Sequence, residues 1–164
     1  MLYYNTIKPL DVANGKGISC SIFFQGCSHH CKNCFNQETW SFKGGKEFNE
    51  KEQEEFIKNA NKSVVSSISI LGGDPLQQDS EDLYNFLKRL KEEVNKPIFL
   101  WTGYIYEEIP KQYLPSVYDF VDVLIDGRVE EDKKNLMLRY RGSSNQRVID
   151  VKETLKEGRI VLYE

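Results

Sequence analysis

The sequence predicts an α/β protein with a mostly parallel sheet. Short apolar runs alternate with stretches whose apolar residues recur at helical spacing. Repeated strand and helix units of this kind place successive strands in parallel and join them by right-handed crossovers. The chain has 164 residues, of which 40% are hydrophobic. This length and composition predict a single domain over residues 1–164 with one core of its own.

The first predicted strand covers residues 18–24, where apolar residues alternate with serines, and it ends at Gln25-Gly26. A loop with several cysteines follows. Asn49, with Glu52 three positions later, resembles a capping box and predicts the start of a helix. Further strands are predicted at residues 67–71, 98–102, 121–125, 148–151 and 159–162.

Two more helical regions lie between these strands. Asp79 or Ser80 can cap a helix whose leucines and Phe86 form an apolar stripe at helical spacing, which is typical of a core-facing helix. Residues 104–118 predict a short helical or turn region that Pro110 and Pro115 interrupt.

Composition excludes several classes of function. The net charge of -3 provides no basic surface for nucleic acid, so no nucleic-acid partner is expected. No apolar run approaches the roughly 18 residues that a membrane-spanning helix needs. Residues 1–17 lack the charged and then apolar build of a secretory signal. These observations predict a cytoplasmic protein without a membrane partner.

Unusual polar and glycine-rich segments follow four of the predicted strands. They are the cysteine loop, residues 72–75, Thr102-Gly103 and Asp126-Gly127. In parallel α/β sheets and barrels, sites form where loops leave the carboxyl ends of strands. The sequence therefore predicts one site at which these four loops meet.

The four cysteines, Cys20, Cys27, Cys31 and Cys34, lie within fifteen residues. Such clustering points to metal or redox chemistry and not to disulfide bonds that close long loops. Three arrangements are compatible with the spacing: a structural zinc site completed by Cys20 or a histidine, a four-cysteine electron-transfer cluster, and a [4Fe–4S] cluster on three thiolates. The third would leave one iron open to chelate S-adenosylmethionine (SAM).

The spacing Cys-x3-Cys-x2-Cys near the start of a strand and helix chain resembles the radical SAM superfamily. Further motifs are similar to one branch of it, the activating proteins of anaerobic ribonucleoside-triphosphate reductases. These motifs are DVANGKG at 11–17, CFN at 34–36, TW at 39–40, GGDPL at 72–76, WTGY at 101–104, DVLIDGR at 122–128 and RGSSNQ at 141–146.

The resemblance implies a partial open (β/α) barrel of the radical SAM type. It implies a [4Fe–4S] cluster on Cys27, Cys31 and Cys34, with SAM as the second cofactor. The implied activity is the formation of a glycyl radical on the large subunit of the anaerobic ribonucleoside-triphosphate reductase. A flavodoxin- or ferredoxin-like protein is the implied reductant. The chain has Asn33 where many superfamily members carry an aromatic residue.

The resemblance also suggests contacts to SAM. Gly72, Gly73 and Asp74 are expected at the methionine amino group, although Gly-Gly-Asp-Pro is also an ordinary turn. Adenine contacts are expected from the backbone near Asn33, next to Cys34, and from Phe35. Thr102 and Asp126 are candidates for the ribose or the carboxylate, or else form turns. Arg141 is a candidate to bind the carboxylate, unless its basic segment is solvated or receives the partner.

Other interpretations remain open at this point. Cys20 is expected to be a buried residue and not a ligand. His29 and His30 either donate to cluster sulfurs or only shape the loop. Alternative functions are activation of pyruvate formate-lyase or another glycyl-radical enzyme, a radical enzyme for a small molecule, and a non-catalytic zinc or iron–sulfur binding module.

Overall fold

The computed structural model describes residues 1–30 and 37–163. Seven strands form one open sheet in the order β3-β1-β2-β4-β5-β6-β7. The strands are β1 (Tyr3–Asp11), β2 (Ser19–Phe24), β3 (Lys46–Glu47), β4 (Ser67–Gly72), β5 (Ile98–Trp101), β6 (Val123–Asp126) and β7 (Arg147–Asp150). The helices are α1 (Glu50–Ala60), α2 (Ser80–Glu93), α3 (Leu114–Phe120) and α4 (Val151–Glu157).

The four central strands, β2, β4, β5 and β6, run parallel. Strands β1 and β7 pair antiparallel with β2 and β6, and β3 pairs antiparallel with β1. This arrangement confirms the predicted α/β class and the mostly parallel open sheet. The carboxyl ends of the four central strands share one edge of the sheet, which is where the predicted site was expected.

Helices α1 and α2 begin where their capping residues predict. The side chain of Asn49 accepts a hydrogen bond from the backbone N–H of Glu52 over 3.0 Å. The side chain of Asp79 does the same for the N–H of Asp82 over 2.9 Å. Each bond satisfies one of the amides that a helix start leaves without an intrahelical partner.

The main core lies between the sheet and its helices. Alternate residues of the strands point into it, among them the fully buried Cys20, Ile22 and Phe24 of β2. Phe86 of α2 meets the rings of Phe24 and Phe48 edge-to-face, at centroid distances of 6.3 and 4.9 Å. These contacts form one continuous apolar core between the sheet and the helices. The predicted site lies on the opposite face of the sheet.

Two long segments of the chain leave the sheet and rejoin it at the same edge. Residues 25–45 run from the end of β2 to β3, whose Lys46 pairs beside Tyr4 and hence close to Phe24. Residues 127–146 run from the end of β6 to the start of antiparallel β7. The connections between the parallel strands pass through α1, α2 and α3, and the first of them also includes residues 25–45 and β3. We call residues 25–45 and 127–146 the two return segments.

The C-terminal region differs from the prediction. The strand expected at residues 159–162 is wrong, because only a single bridge joins Leu162 to Ile149. Helix α4 precedes it, capped by Asp150 and ended by Gly158 at a φ of +70°. Its seven residues are too few to show a clear helical period. Strand β1 was also not predicted.

Pro115 does not interrupt the helical region as predicted. It lies in the first turn of α3, where the missing N–H would have no intrahelical partner in any case. The longest helix of the described chain, α2, has 14 residues. Within residues 1–30 and 37–163, no helix is both long and apolar enough to cross a membrane.

Candidate functional site

A cavity of about 430 Å³ lies on the face of the sheet that carries no helix core, at the carboxyl ends of the central strands. Phe23 of β2, Leu71 of β4 and Trp101 of β5 line it from neighbouring strands. Cavities of roughly 300–1,000 Å³ are typical of small-molecule sites. The predicted convergence of strand-end loops therefore produces a pocket of suitable size.

Cys27 lines this cavity and is 7% exposed. Its backbone N–H donates to the carbonyl of Trp40 over 3.1 Å, and the preceding Gly26 accepts from the N–H of Asp74 over 2.9 Å. These bonds hold the start of the cysteine loop between the first return segment and the end of β4. The predicted site residues Cys31, Asn33, Cys34 and Phe35 lie outside the described residues.

Cys20 lies on the other face of β2, in the core beneath the helices, and is fully buried. Burial raises the pKa of its thiol to about 12, since a thiolate would lose its hydration there. A thiol that stays protonated at neutral pH is a poor metal ligand. The expectation that Cys20 packs as an apolar residue is confirmed.

Gly72 and Gly73 both line the cavity, at the end of β4. These glycines were predicted at the site because the absence of a Cβ lets the backbone approach a ligand closely. The structure adds a second reason, because a Cβ on Gly72 would lie 2.2 Å from the backbone nitrogen of Phe24. A Cβ on Gly73 would lie 2.4 Å from the carbonyl oxygen of Gly26. Both glycines thus allow β4 to meet β2 closely at the site.

We expect Gly72→Ala to lower the free energy of unfolding by about 3 kcal/mol or more, because its methyl group would lie 2.2 and 2.3 Å from backbone atoms of Phe24 and its φ is +132°. Gly158→Ala is the matched control: its φ is +70°, but nothing lies within 4 Å of the added atom. The control should lose only about 1–2 kcal/mol. Urea denaturation measures both, and equal losses would contradict the close-approach argument.

Asp74 is fully buried and is not among the residues that line the cavity. One carboxyl oxygen accepts from the N–H of Leu76 over 2.9 Å. The other accepts from the Thr102 hydroxyl and the Gly103 N–H, each over 3.0 Å, and from His29 Nε2 over 2.7 Å. The structure therefore places this carboxyl group behind the cavity wall, where it joins three loops.

The side chain of His29 contacts residues that follow two other strands. Its side chain is 4% exposed, with Nε2 on Asp74 and Nδ1 accepting from Arg128 Nε over 3.1 Å. Because an arginine nitrogen can only donate, these partners assign the proton of the neutral imidazole to Nε2. His30 behaves differently: it is exposed and stacks on Trp40 at a centroid distance of 4.4 Å.

Thr102 and Asp126 end neighbouring strands but have different surroundings. Thr102 lines the cavity, and its hydroxyl also accepts from the N–H of Tyr104 over 3.2 Å. Asp126 is buried away from the cavity, where its carboxyl group binds the Arg147 guanidinium and the Tyr106 N–H. The hydrogen bonds that Arg147 donates to Asp126 and, with a smaller effect, to Glu107 raise the pKa of its guanidinium. The structure thus brings Thr102, but not Asp126, to the cavity.

Three cationic side chains line the cavity: Lys8, Arg128 and Arg141. Among the described residues that line it, none is acidic, although the whole chain has a net charge of -3. Arg141 was predicted here, and one of its terminal nitrogens donates to the carbonyl of Gln146 over 2.6 Å. A cavity with this lining favours a ligand that presents a negatively charged group, such as a carboxylate, to these cations.

Two of these cations were missed by the sequence analysis. Arg128 follows Asp126-Gly127 directly, so the strand-end argument could have identified it. Lys8 lies on β1, which had no recognisable strand pattern. Within residues 1–30 and 37–163, no group of three or more His, Cys, Asp or Glu side chains is gathered as a metal site. Two of the three predicted ligands lie outside those ranges.

Comparison with known proteins assigns the chain to a family. A family model described as a 4Fe-4S single cluster domain matches residues 13–149. The anaerobic ribonucleoside-triphosphate reductase-activating protein of Pasteurella multocida is 37% identical over 148 residues, which are 87% of this chain and 94% of that protein. The protein of the same name in Escherichia coli K12 is 36% identical over 87% of this chain and 95% of that protein. The one in Enterobacteria phage T4 is 37% identical over 88% of this chain and 92% of that protein.

The chain belongs to the family of anaerobic ribonucleoside-triphosphate reductase-activating proteins. This result confirms the resemblance that the motifs predicted. The range that matches the 4Fe-4S single cluster domain contains every cavity-lining residue of this activating-protein family member from Ala13 to Gln146. Only Lys8 of the described lining precedes that range. The shared sequence therefore includes both return segments and the ends of all four central strands.

Proposed function

We propose that this chain is a radical SAM activating enzyme. It holds one [4Fe–4S] cluster, cleaves SAM reductively and generates a glycyl radical on the large subunit of the anaerobic ribonucleoside-triphosphate reductase. The observation that carries the proposal is the placement of Cys27 in a cavity lined by strand-end glycines and cations. The fold is then a partial open (β/α) barrel of the radical SAM type, formed as one domain over residues 1–164.

The donor set fits an iron–sulfur cluster better than zinc. Cys20 is on the opposite face of β2 with a protonated thiol, and both nitrogens of His29 have other partners. Neither can complete a tetrahedral zinc site with Cys27. Cys27, Cys31 and Cys34 would hold the cluster. Once bound, the two groups would supply the chemistry: one electron from the protein reductant would pass through the cluster to SAM and break a carbon–sulfur bond, giving methionine and, after one hydrogen atom is taken from the glycine, 5′-deoxyadenosine.

Residues at the strand ends would bind and orient SAM. Gly72 and Gly73 present backbone groups at the cavity for the methionine amino group, and Arg141 or Arg128 is placed for its carboxylate. Thr102 donates its hydroxyl proton to Asp74, so it would meet the ribose only as an acceptor, through the lone pair that Tyr104 does not use. Asn33, Cys34 and Phe35 are proposed at the adenine side. Asp74 and Asp126 act through the loops they hold and not by direct contact, because their carboxyl groups bind protein donors.

The second return segment supplies an exposed apolar rim for a protein substrate. Leu136 lines the cavity yet is 90% exposed, and the adjacent Met137 is 88% exposed. Large apolar side chains with this exposure beside a pocket indicate a surface that a partner covers. The names of the relatives identify this reductase as the protein that they activate. The glycine segment of the reductase would enter the cavity beside this rim.

The test uses full-length protein reconstituted with iron and sulfide without oxygen and then reduced. We expect iron and sulfide in a brown protein, release of 5′-deoxyadenosine from SAM, and a glycyl radical signal in spin resonance when the reductase is added. Colourless protein with zinc would support a binding module instead. Product formation stimulated by a metabolite, or a radical on pyruvate formate-lyase but not on the reductase, would contradict the proposed substrate.

The rim makes a separate prediction. A Leu136→Ser, Met137→Ser double variant should lower the yield of glycyl radical at limiting reductase by about tenfold, since burial of two such side chains contributes a few kcal/mol at most. Met137→Ser alone, at a residue that is not part of the cavity lining, should leave cleavage of SAM without reductase unchanged. Val64→Ser is the control, since Val64 is 49% exposed just before β4, at the other edge of the sheet. If Val64→Ser lowered the yield of glycyl radical as much as the double variant does, the result would contradict a docking role for the rim.

Localisation and electron supply complete the proposal. The described helices cannot span a membrane, and we propose a cytoplasmic enzyme that receives its electron from a flavodoxin- or ferredoxin-like protein. Comparing both classes of reductant in the SAM cleavage assay would identify the donor.

A further inference from the structure

The imidazole of His29 contacts residues from the ends of three strands besides its own. It donates to Asp74 after β4 over 2.7 Å and accepts from Arg128 after β6 over 3.1 Å. Its ring lies edge-on to Tyr104, beyond β5, at a centroid distance of 4.8 Å. One side chain from the cysteine loop is thus in contact with all of the strand ends that form the cavity.

Residues on two sides of the His29 ring restrict where the ring can lie. A Cβ on Gly103 would lie 2.4 Å from a ring carbon of His29, so the glycine creates the space that the imidazole occupies. On the other side, Asp74 is held by the Thr102 hydroxyl and two backbone amides. The bond from Nε2 to the held Asp74 carboxyl group and the Gly103 backbone against the ring set its position, and Arg128 donates to the other ring nitrogen.

We propose that His29 is the positioning residue of the cysteine loop, which it fixes against the ends of β4, β5 and β6 so that the cluster faces the SAM cavity. The inference rests on the proposed function, because it concerns the position of the cluster-bearing loop relative to SAM. It deepens that function by assigning a role to a residue that itself need not touch either cofactor.

His30 provides the matched control in the same loop. Its ring stacks on Trp40, which belongs to the same return segment, so this contact does not join the cysteine loop to β4, β5 or β6. His30 has a φ of +48°, which asparagine tolerates better than most residues. The same His→Asn change can therefore be made at both positions, and only at position 29 does it remove a contact between strand ends.

The experiment compares His29→Asn, His29→Gln and His30→Asn in reconstituted full-length protein. Asparagine at position 29 reaches only about as far as Nδ1 and loses the bond to Asp74, whereas glutamine places an N–H at nearly the reach of Nε2 and can keep that bond. We expect H29N to release iron to the chelator ferrozine at least about tenfold faster than wild type. It should also lose the change that SAM causes in the spin resonance spectrum of the reduced cluster. H29Q should recover both properties, and H30N should match wild type.

Two further variants separate positioning from loss of folding. Asp150→Ala removes the cap of α4 at the amino ends of the parallel strands, away from the loop, and should lower the melting temperature without changing iron release or the spectrum. If H29N yields no folded protein, Gly103→Ala decides the question, since its methyl group displaces the same imidazole and should reproduce the fast iron release.

The proposal is overturned if folded H29N, or folded G103A in its place, keeps wild-type iron release and the wild-type spectral response to SAM. It is also overturned if H29Q is as impaired as H29N. Failure of the proposed function looks different, because wild type itself would then bind no iron or leave SAM intact.

Discussion

Replacement of Asp74 by alanine will lower the free energy of unfolding by about 3–5 kcal/mol, one of the largest effects we expect for a single side chain outside the apolar core. The carboxyl group is fully buried and accepts four hydrogen bonds. A buried donor that loses its acceptor typically costs 1–3 kcal/mol, partly recovered where water can enter. Urea denaturation of the iron-free protein measures the loss.

Asp79→Ala is the comparison for Asp74→Ala, because both aspartates cap the start of a helical turn with their side chains. The bond from the N–H of Asp82 to Asp79 is exposed, so that variant should lose only about 1 kcal/mol. Losses of similar size in the two variants would mean that the contacts of Asp74 to His29, Thr102 and Gly103 add no stability.

The second large effect is expected for Cys27→Ala, on activity. Loss of this sulfur should reduce the iron content of the reconstituted protein and lower SAM cleavage by more than about 100-fold, since even indirect partners of metal ligands often contribute 10–100-fold. Cys27 lies within the cavity wall and does not support the helix-side core. Iron analysis and the yield of 5′-deoxyadenosine measure the two quantities.

Cys20→Ala is the control for Cys27→Ala, since it removes a thiol from β2, seven residues earlier in the chain. Cys20 is fully buried in the core and its pKa is about 12. We expect a stability loss of about 1 kcal/mol with unchanged iron content. A loss of iron in C20A equal to that in C27A would favour the four-cysteine arrangement and contradict a cluster on three thiolates.

Local signals account for the parts of the fold that could be predicted. Asn49 and Asp79 cap their helices through bonds to residues three positions away, so the information lies within one helical turn. Strand β1 escaped prediction because most of its residues are exposed or half-buried, which removes the alternation that identifies a strand. Its place in the sheet depends on pairing with β2 and not on its own pattern.

The site was predictable only to the level of its loops. The strand-end argument brought Gly72, Gly73 and Thr102 to the cavity correctly. It could not separate Thr102 from Asp126, because the partner that turns Asp126 away is Arg147, 21 residues later on an antiparallel strand. The role of His29 depends on Arg128, 99 residues away, and no spacing rule connects two such positions.

The second return segment starts and finishes at one edge of the sheet, so its length is uncoupled from the helical crossovers that set the order of the central strands. Insertions or deletions in it would reshape the entrance while the scaffold beneath keeps its register. A lineage built on this topology can therefore change the molecule it admits by exchanging one surface stretch, without redesign of the framework that carries it.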